Sequence, residues 1–249
     1  MGTKKKAARL AYSACVSLLI CSTFVAADFA LLSNNPDPAN RQHPSADLLR
    51  QMALRDIKIP RSRVQFRSRN SAEDVVRLTE DLAGRPTESD SSHFIYLSAP
   101  ASVQSNRTLA FLVDDSNPLP LTIILQFLGQ DATQNYFLAI DVKGLDDASS
   151  INIVDPPDNV FLVLFKYSEE NSVLWRKEGF DNVPLGSDLS LGIYAGLGGL
   201  ADDYANDDGR TSVGELITYI RDWHKRPSHW TWFPPTTALM DSVFLPSFA

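Results

Sequence analysis

The sequence is nearly without cysteine: of 249 residues only Cys15 and Cys21 carry a thiol, both inside the apolar amino-terminal segment. Beyond Cys21 there is thus no disulfide, no thiolate metal ligand and no cysteine nucleophile. Basic charge is also scarce. Four of the 23 lysines and arginines (Lys4, Lys5, Lys6, Arg9) precede residue 28, which leaves 19 against 30 acidic groups and a net charge of −11 for residues 28–249. Sequence-independent nucleic-acid binding needs a basic surface, so that class of partner is disfavoured. No G-x-S-x-G elbow is present, Gly186-Ser187 being followed by Asp188-Leu189, and no glycine-rich phosphate loop, internal repeat or low-complexity tract occurs. What is there, 44% apolar and 21% charged side chains, is the composition of a chain that buries a core.

Residues 4–9 are basic and residues 10–27 carry no charge, the pattern of a signal peptide or signal anchor. Eighteen residues at about 1.5 Å each just reach the roughly 30 Å hydrocarbon thickness, while Ala26 and Ala27 offer a cleavage site. Spanning and cleavage are both open; lipidation at Cys21 is disfavoured because Leu18-Leu19-Ile20 lacks a small residue next to it. Either way the acidic remainder is expected outside the cytoplasm, anchored in the membrane through residues 10–27 or exported after cleavage.

Beyond this segment, residues 28–45 are expected to supply a first strand, Phe29-Ala30-Leu31-Leu32, and a loop, and residues 46–249 the remainder of one domain. Ser45 is a candidate N-cap for a helix over 46–55. A short basic strand around Val64-Gln65-Phe66 follows. Ser71-Ala72-Glu73-Asp74 then opens a helix with Val75, Leu78 and Leu82 on one face, stopped at Gly84 and Pro86. Residues 93–97, 136–140 and 160–165 are continuous apolar runs too short for helices, the look of strands buried on both faces. Pro120 and Gly129 bracket another helix. Strands alternating with helices imply a mostly parallel central sheet with helices on both faces, a three-layer α/β sandwich.

In such sheets chemistry gathers beyond the carboxyl ends of strands. There the chain reads Tyr96-Leu97-Ser98-Ala99-Pro100-Ala101 and Leu138-Ala139-Ile140-Asp141-Val142-Lys143-Gly144. This resembles the caspase-like (peptidase C14, metacaspase-related) fold, whose first such strand ends in a Ser-Gly-His-Gly pattern and whose second ends in Asp-x-Cys. Phe180, LSLGIYAGLGGLAD and DDGRTSVGELITYI are similar to later motifs of that family, and the order of motifs carries the resemblance over about residues 29–245. The resemblance implies that the family's histidine position falls on Pro100 and its cysteine position on Lys143, with Ser98 and Asp141 retained beside the old cleft. Proline cannot titrate, and no register recovers a cysteine after Cys21, so a cysteine peptidase is excluded. The chain then resembles the degenerate, membrane-anchored bacterial members of the fold.

Other constellations compete. Asn206, Asp208, Gly209 and Glu215 follow the spacing of a calcium loop, but its first ligand position holds Tyr204. His43, His93, His224 and His229 form no metal-ligand spacing: His224 and His229 are split by Pro227, and His93 is expected in the core or at an edge. Asp114-Asp115 and Asp202-Asp203 read as solvated turns, and Asn106-Arg107-Thr108 is a glycosylation sequon relevant only in a eukaryotic secretory pathway. The aromatic stretch Trp223, Trp230, Trp232, Phe233 reads as a tail covering the sheet edge or as a partner-docking patch. The functional expectation is a non-catalytic caspase-like module, a pseudopeptidase that binds or scaffolds an unknown protein partner at a membrane surface without cofactor, metal or nucleic acid. One alternative is a hydrolase of another mechanism using Ser98 or Asp141. The second is a calcium-dependent binding module using Asn206, Asp208 and Glu215.

Overall fold

Phe29–Ser33 is buried at every position, a pattern that only a strand with helices on both faces can satisfy. In the computed structural model, which describes residues 28–33, 44–68, 71–85, 92–113, 118–145, 151–166, 186–223, 231–232 and 243–246, that segment is β1. It lies between β2 (Val64–Ser68) and β3 (Ser92–Val103), and the sheet continues through β6 (Asn135–Lys143) and β7 (Val160–Lys166). All four of these pairings are parallel. The edge strand β9 (Thr231–Trp232) runs antiparallel to β7. The far half of β3 folds back as a hairpin with β4 (Leu109–Phe111), which pairs β5 (Leu119–Pro120). A second, two-stranded sheet joins β8 (Arg210–Ser212) to β10 (Val243–Pro246).

Parallel neighbours require crossovers, and the helices supply them on both faces. On one face lie α1 (Pro44–Gln51), continued by a π-helical turn over Met52–Asp56, then α4 (Asp188–Ala195) and α6 (Val213–Trp223). The other face carries α2 (Ala72–Ala83) and α3 (Leu121–Leu128). Strand alternation sorts the core accordingly: Phe29, Phe94, Phe137 and Phe161 point to the first face, and Ile95, Leu138 and Leu162 to the second. The four phenylalanines are in register across four strands and stack at 4.9, 5.7 and 5.8 Å, a ladder that locks the parallel register. The three-layer α/β architecture with a mostly parallel sheet is thus the one expected from the alternation of elements.

Local signals explain several boundaries. Ser71 and Asp74 cap α2 reciprocally, each side chain accepting the other's backbone N–H at 3.0 Å. Contrary to the expectation from sequence, Ser45 does not cap α1: the helix already starts at Pro44, a favoured first-turn residue, and the Ser45 hydroxyl accepts the backbone N–H of Ser187 instead. After α4 the chain makes a π-helical turn, Gly196–Leu200, in which Gly199 adopts φ +112°, and resumes as α5 (Ala201–Ala205). Gly196 lets α4 and α6 approach, since a Cβ there would stand 2.4 Å from Leu216 Cδ1.

Among the described residues no helix is long and apolar enough to cross a membrane. The amino-terminal segment 1–27, His43, His224, His229, Trp230, Phe233, the Asp114-Asp115 pair and Phe180 lie outside the described residues. Thr231 and Trp232 pair with Phe165 and Leu164, which places that part of the aromatic stretch on the sheet edge.

Candidate functional site

At the carboxyl end of the sheet the apolar ladder gives way to polar side chains. Ser33, Ser98 and Asp141 are in register on β1, β3 and β6, and one step further Pro100 stands opposite Lys143. Side chains two apart share a face, so Tyr96, Ser98 and Pro100 on β3 and Ala139, Asp141 and Lys143 on β6 all project toward α1 and α4. The expected site residues are therefore brought together, and within strands rather than in the loops beyond them, because β3 and β6 run longer than their apolar cores.

Asp141 is fully buried and its Oδ2 accepts two hydroxyls, those of Tyr96 and Ser187. Ser187 is the N-cap of α4, its Oγ accepting the Ser190 N–H at 3.0 Å. The Ser187 N–H in turn reaches Ser45 Oγ at 2.9 Å. One carboxyl thus ties the starts of α1 and α4 to the middle of the sheet. Burial pushes its pKa up to about 6; the hydrogen bonds from Ser187 and Tyr96 and the Lys143 charge act the other way, and the Asp188 charge adds to the rise. Burial, then the Asp141 carboxyl itself, hold the Tyr96 phenol well above its ordinary range.

Two polar atoms here, Ser98 Oγ and Asp141 Oδ1, are buried with no hydrogen-bond partner among the described residues. A serine nucleophile needs a base within hydrogen-bond reach, and Ser98 has none among them. His93 cannot serve, since it sits at the opposite end of β3, buried, with Nε2 3.1 Å from the Arg85 carbonyl oxygen.

The calcium-loop residues are also adjacent, and each already accepts a neighbouring N–H. Asn206 Oδ1 accepts the Asp208 N–H at 2.9 Å while its Nδ2 donates to Glu215 at 2.6 Å; Asp208 Oδ1 accepts the Arg210 N–H at 2.9 Å. Glu215 Oε2 accepts the Ser212 N–H at 2.8 Å in a reciprocal cap on α6. Asp202, expected as a solvated turn residue, is buried: its two oxygens take the N–H groups of Asp208 and Gly209, each at 3.0 Å. Asp203 remains exposed.

No family model matches the chain and no curated protein matches it. Its course is similar to that of the crystal structure of caspase-1 from Spodoptera frugiperda, at 10% identity and a TM-score of 0.48, over 89% of this chain and 85% of that one. The pro-sf-caspase-1 structure is similar at 11% identity and TM-score 0.47, over 90% and 92%.

Tyr96 and Ser187 are the site residues that sequence reading missed. Tyr96 sits in an apolar run, and its phenol meets Asp141 only once the sheet has formed. Ser187-Asp188-Leu189 does carry an N-cap signal, but nothing in it points to a carboxylate 46 positions away.

Proposed function

We propose that this chain is a non-catalytic caspase-like module that binds or scaffolds at a membrane surface. The observation that supports it most is Pro100 standing in register beside Lys143 at the carboxyl ends of β3 and β6, where the motif resemblance puts the histidine and cysteine of a peptidase. A proline offers no base, and a lysine ammonium is no thiolate. The membrane part rests on the basic and then uncharged run of residues 4–27. A hydrolase working through Ser98 or Asp141 draws little support from a serine without a base and a carboxyl closed off by Tyr96 and Ser187. A calcium-binding role through Asn206, Asp208 and Glu215 competes with the backbone N–H groups those side chains already hold.

The test is a reporter-peptide assay on the purified chain and on Lys143→Cys with Pro100→His. No thiol-dependent turnover from the parent and measurable turnover from the double variant is the expected result. Turnover by the parent that is lost in Ser98→Ala or Asp141→Asn overturns the non-catalytic reading.

A further inference from the structure

In a chain that is otherwise strongly acidic, residues 54–67 hold Arg55, Lys58, Arg61, Arg63 and Arg67 against a single acid, Asp56. The fold gives four of these bases one address. The crossover after β1 runs back along α1, so Arg55 to Arg63 lie where β2 begins, at the amino-terminal edge of the parallel sheet. Arg55, Lys58 and Arg61 are exposed, and Arg63 is close enough to His93 on β3 to act on its charge. Lys58 is held at φ +58° in the tight link to the Arg61–Arg63 turn.

The same edge is where the amino-terminal segment joins the fold. Asp28 alone separates Ala27 from Phe29, the first residue of β1, so no linker lets the domain swing away from whatever holds residues 10–27. Arg85 reaches Asp28 at 3.7 Å, which adds another cation at the junction. The acids of this edge are fewer on the β2 side: Asp131 and Asp158 precede β6 and β7, on the other side of β3, Asp56 is engaged by Tyr194, the buried Asp28 faces Arg85 and His93, and the exposed Glu80 and Asp81 end α2 one turn before Arg85.

We infer that the amino-terminal edge of the sheet, through Arg55, Lys58, Arg61 and Arg63, docks on the anionic lipid headgroups of the membrane that holds residues 10–27, with the Pro100–Lys143 end turned away. This rests on the membrane reading above and gives it an orientation. Strand length puts the Pro100–Lys143 end about 25 Å from the docked edge. Each exposed base near an anionic surface strengthens such docking roughly fivefold, and salt weakens it.

The fold carries no thiol of its own, so the full chain with Cys15→Ser and Cys21→Ser takes a single fluorescent label at Ser62→Cys, beside Arg61, or at Ser105→Cys in the turn beyond β3. The chain is reconstituted into phosphatidylcholine vesicles with or without phosphatidylglycerol, and acrylamide quenching is read. The label at position 62 is expected to be shielded severalfold only with phosphatidylglycerol, and to be released by high salt and by Lys58→Gln with Arg61→Gln; the label at position 105 stays open throughout. Equal quenching at position 62 in both lipids, in chain that floats with the vesicles, overturns the docking and leaves the membrane reading standing. Chain that floats with neither lipid overturns both.

Discussion

Ser187 donates its hydroxyl to Asp141 while its own backbone N–H is held by Ser45, so the cap of α4, the first turn of α1 and a buried carboxyl form one connected unit. With Tyr96 as the second donor, the unit crosses from β6 to β3 and to α1 and α4, two of the helices that cover this face. A fully buried carboxyl of this kind fixes geometry more than it adds stability, since desolvation opposes the hydrogen bonds that satisfy it.

Asp141 should make stability fall as pH rises from about 4 to about 6. Its folded-state pKa of about 6 lies above the unfolded 3.8, so the native state binds the extra proton in that window. Two pK units correspond to about 3 kcal/mol. Urea unfolding of Asp141→Asn across this range should lose this contribution and leave the opposite slope that His93 sets. Asp141→Leu should lose the same contribution and be less stable by roughly 3 kcal/mol, because it strands the Tyr96 and Ser187 hydroxyls.

Ser187→Ala removes the α4 cap and one of the two donors to Asp141. A loss of about 1–3 kcal/mol is expected. The Ser187 hydrogen bond holds the Asp141 pKa down, so the variant's pH transition should move above that of the parent. An unmoved transition would mean that the hydroxyl caps the helix without acting on the carboxyl.

The fold was largely legible because it rests on runs that alternate with amphipathic helices: residues 93–97, 136–140 and 160–165 all fall inside strands of the parallel sheet. The short pieces were not. β4, β5, β8 and β10 hold two to four residues each and owe their existence to a partner rather than to their own pattern. At the site, Ser98 and Asp141 were readable as polar residues closing apolar strands. Tyr96 and Ser187 were not, because a phenol in a core strand and a serine before a helix each have a sufficient local explanation. Asp202 failed in the opposite direction, as a carboxylate that looks solvated and is buried by the loop it organises.

Glu215 separates a structural role from a ligand role. It caps α6 reciprocally with Ser212 and accepts from Asn206, so Glu215→Ala should cost about 1 kcal/mol. Calcium should leave the parent's Tm unchanged, and the cost of the substitution should be the same with calcium or with chelator. A Tm that rises with calcium in the parent alone would restore the calcium-binding alternative, since a ligand that binds only the native state stabilises it.

His93 should produce a pH slope of the opposite sign to that of Asp141. It lies at the amino end of β3, stacked on Tyr136 at 5.4 Å, with Asp28 at 3.7 Å and the Arg85 carbonyl on Nε2. Burial depresses its pKa below 6.5, outweighing the Arg85 carbonyl and Asp28, which raise it, while the Arg85 and Arg63 charges add to the depression. Below 6.5 the unfolded chain takes up a proton that the native state refuses, so this group makes stability drop as pH falls toward its folded pKa. The two groups therefore oppose each other across the acid range, and the parent's stability profile should be flatter there than that of either single variant. His93→Phe keeps the stack on Tyr136 but gives up the bond to the Arg85 carbonyl, an expected loss of about 1 kcal/mol at neutral pH. Its stability should then rise on acidification toward pH 4, driven by Asp141 alone. A His93→Phe profile parallel to the parent's would show that the imidazole is already protonated in the native state, paired with Asp28.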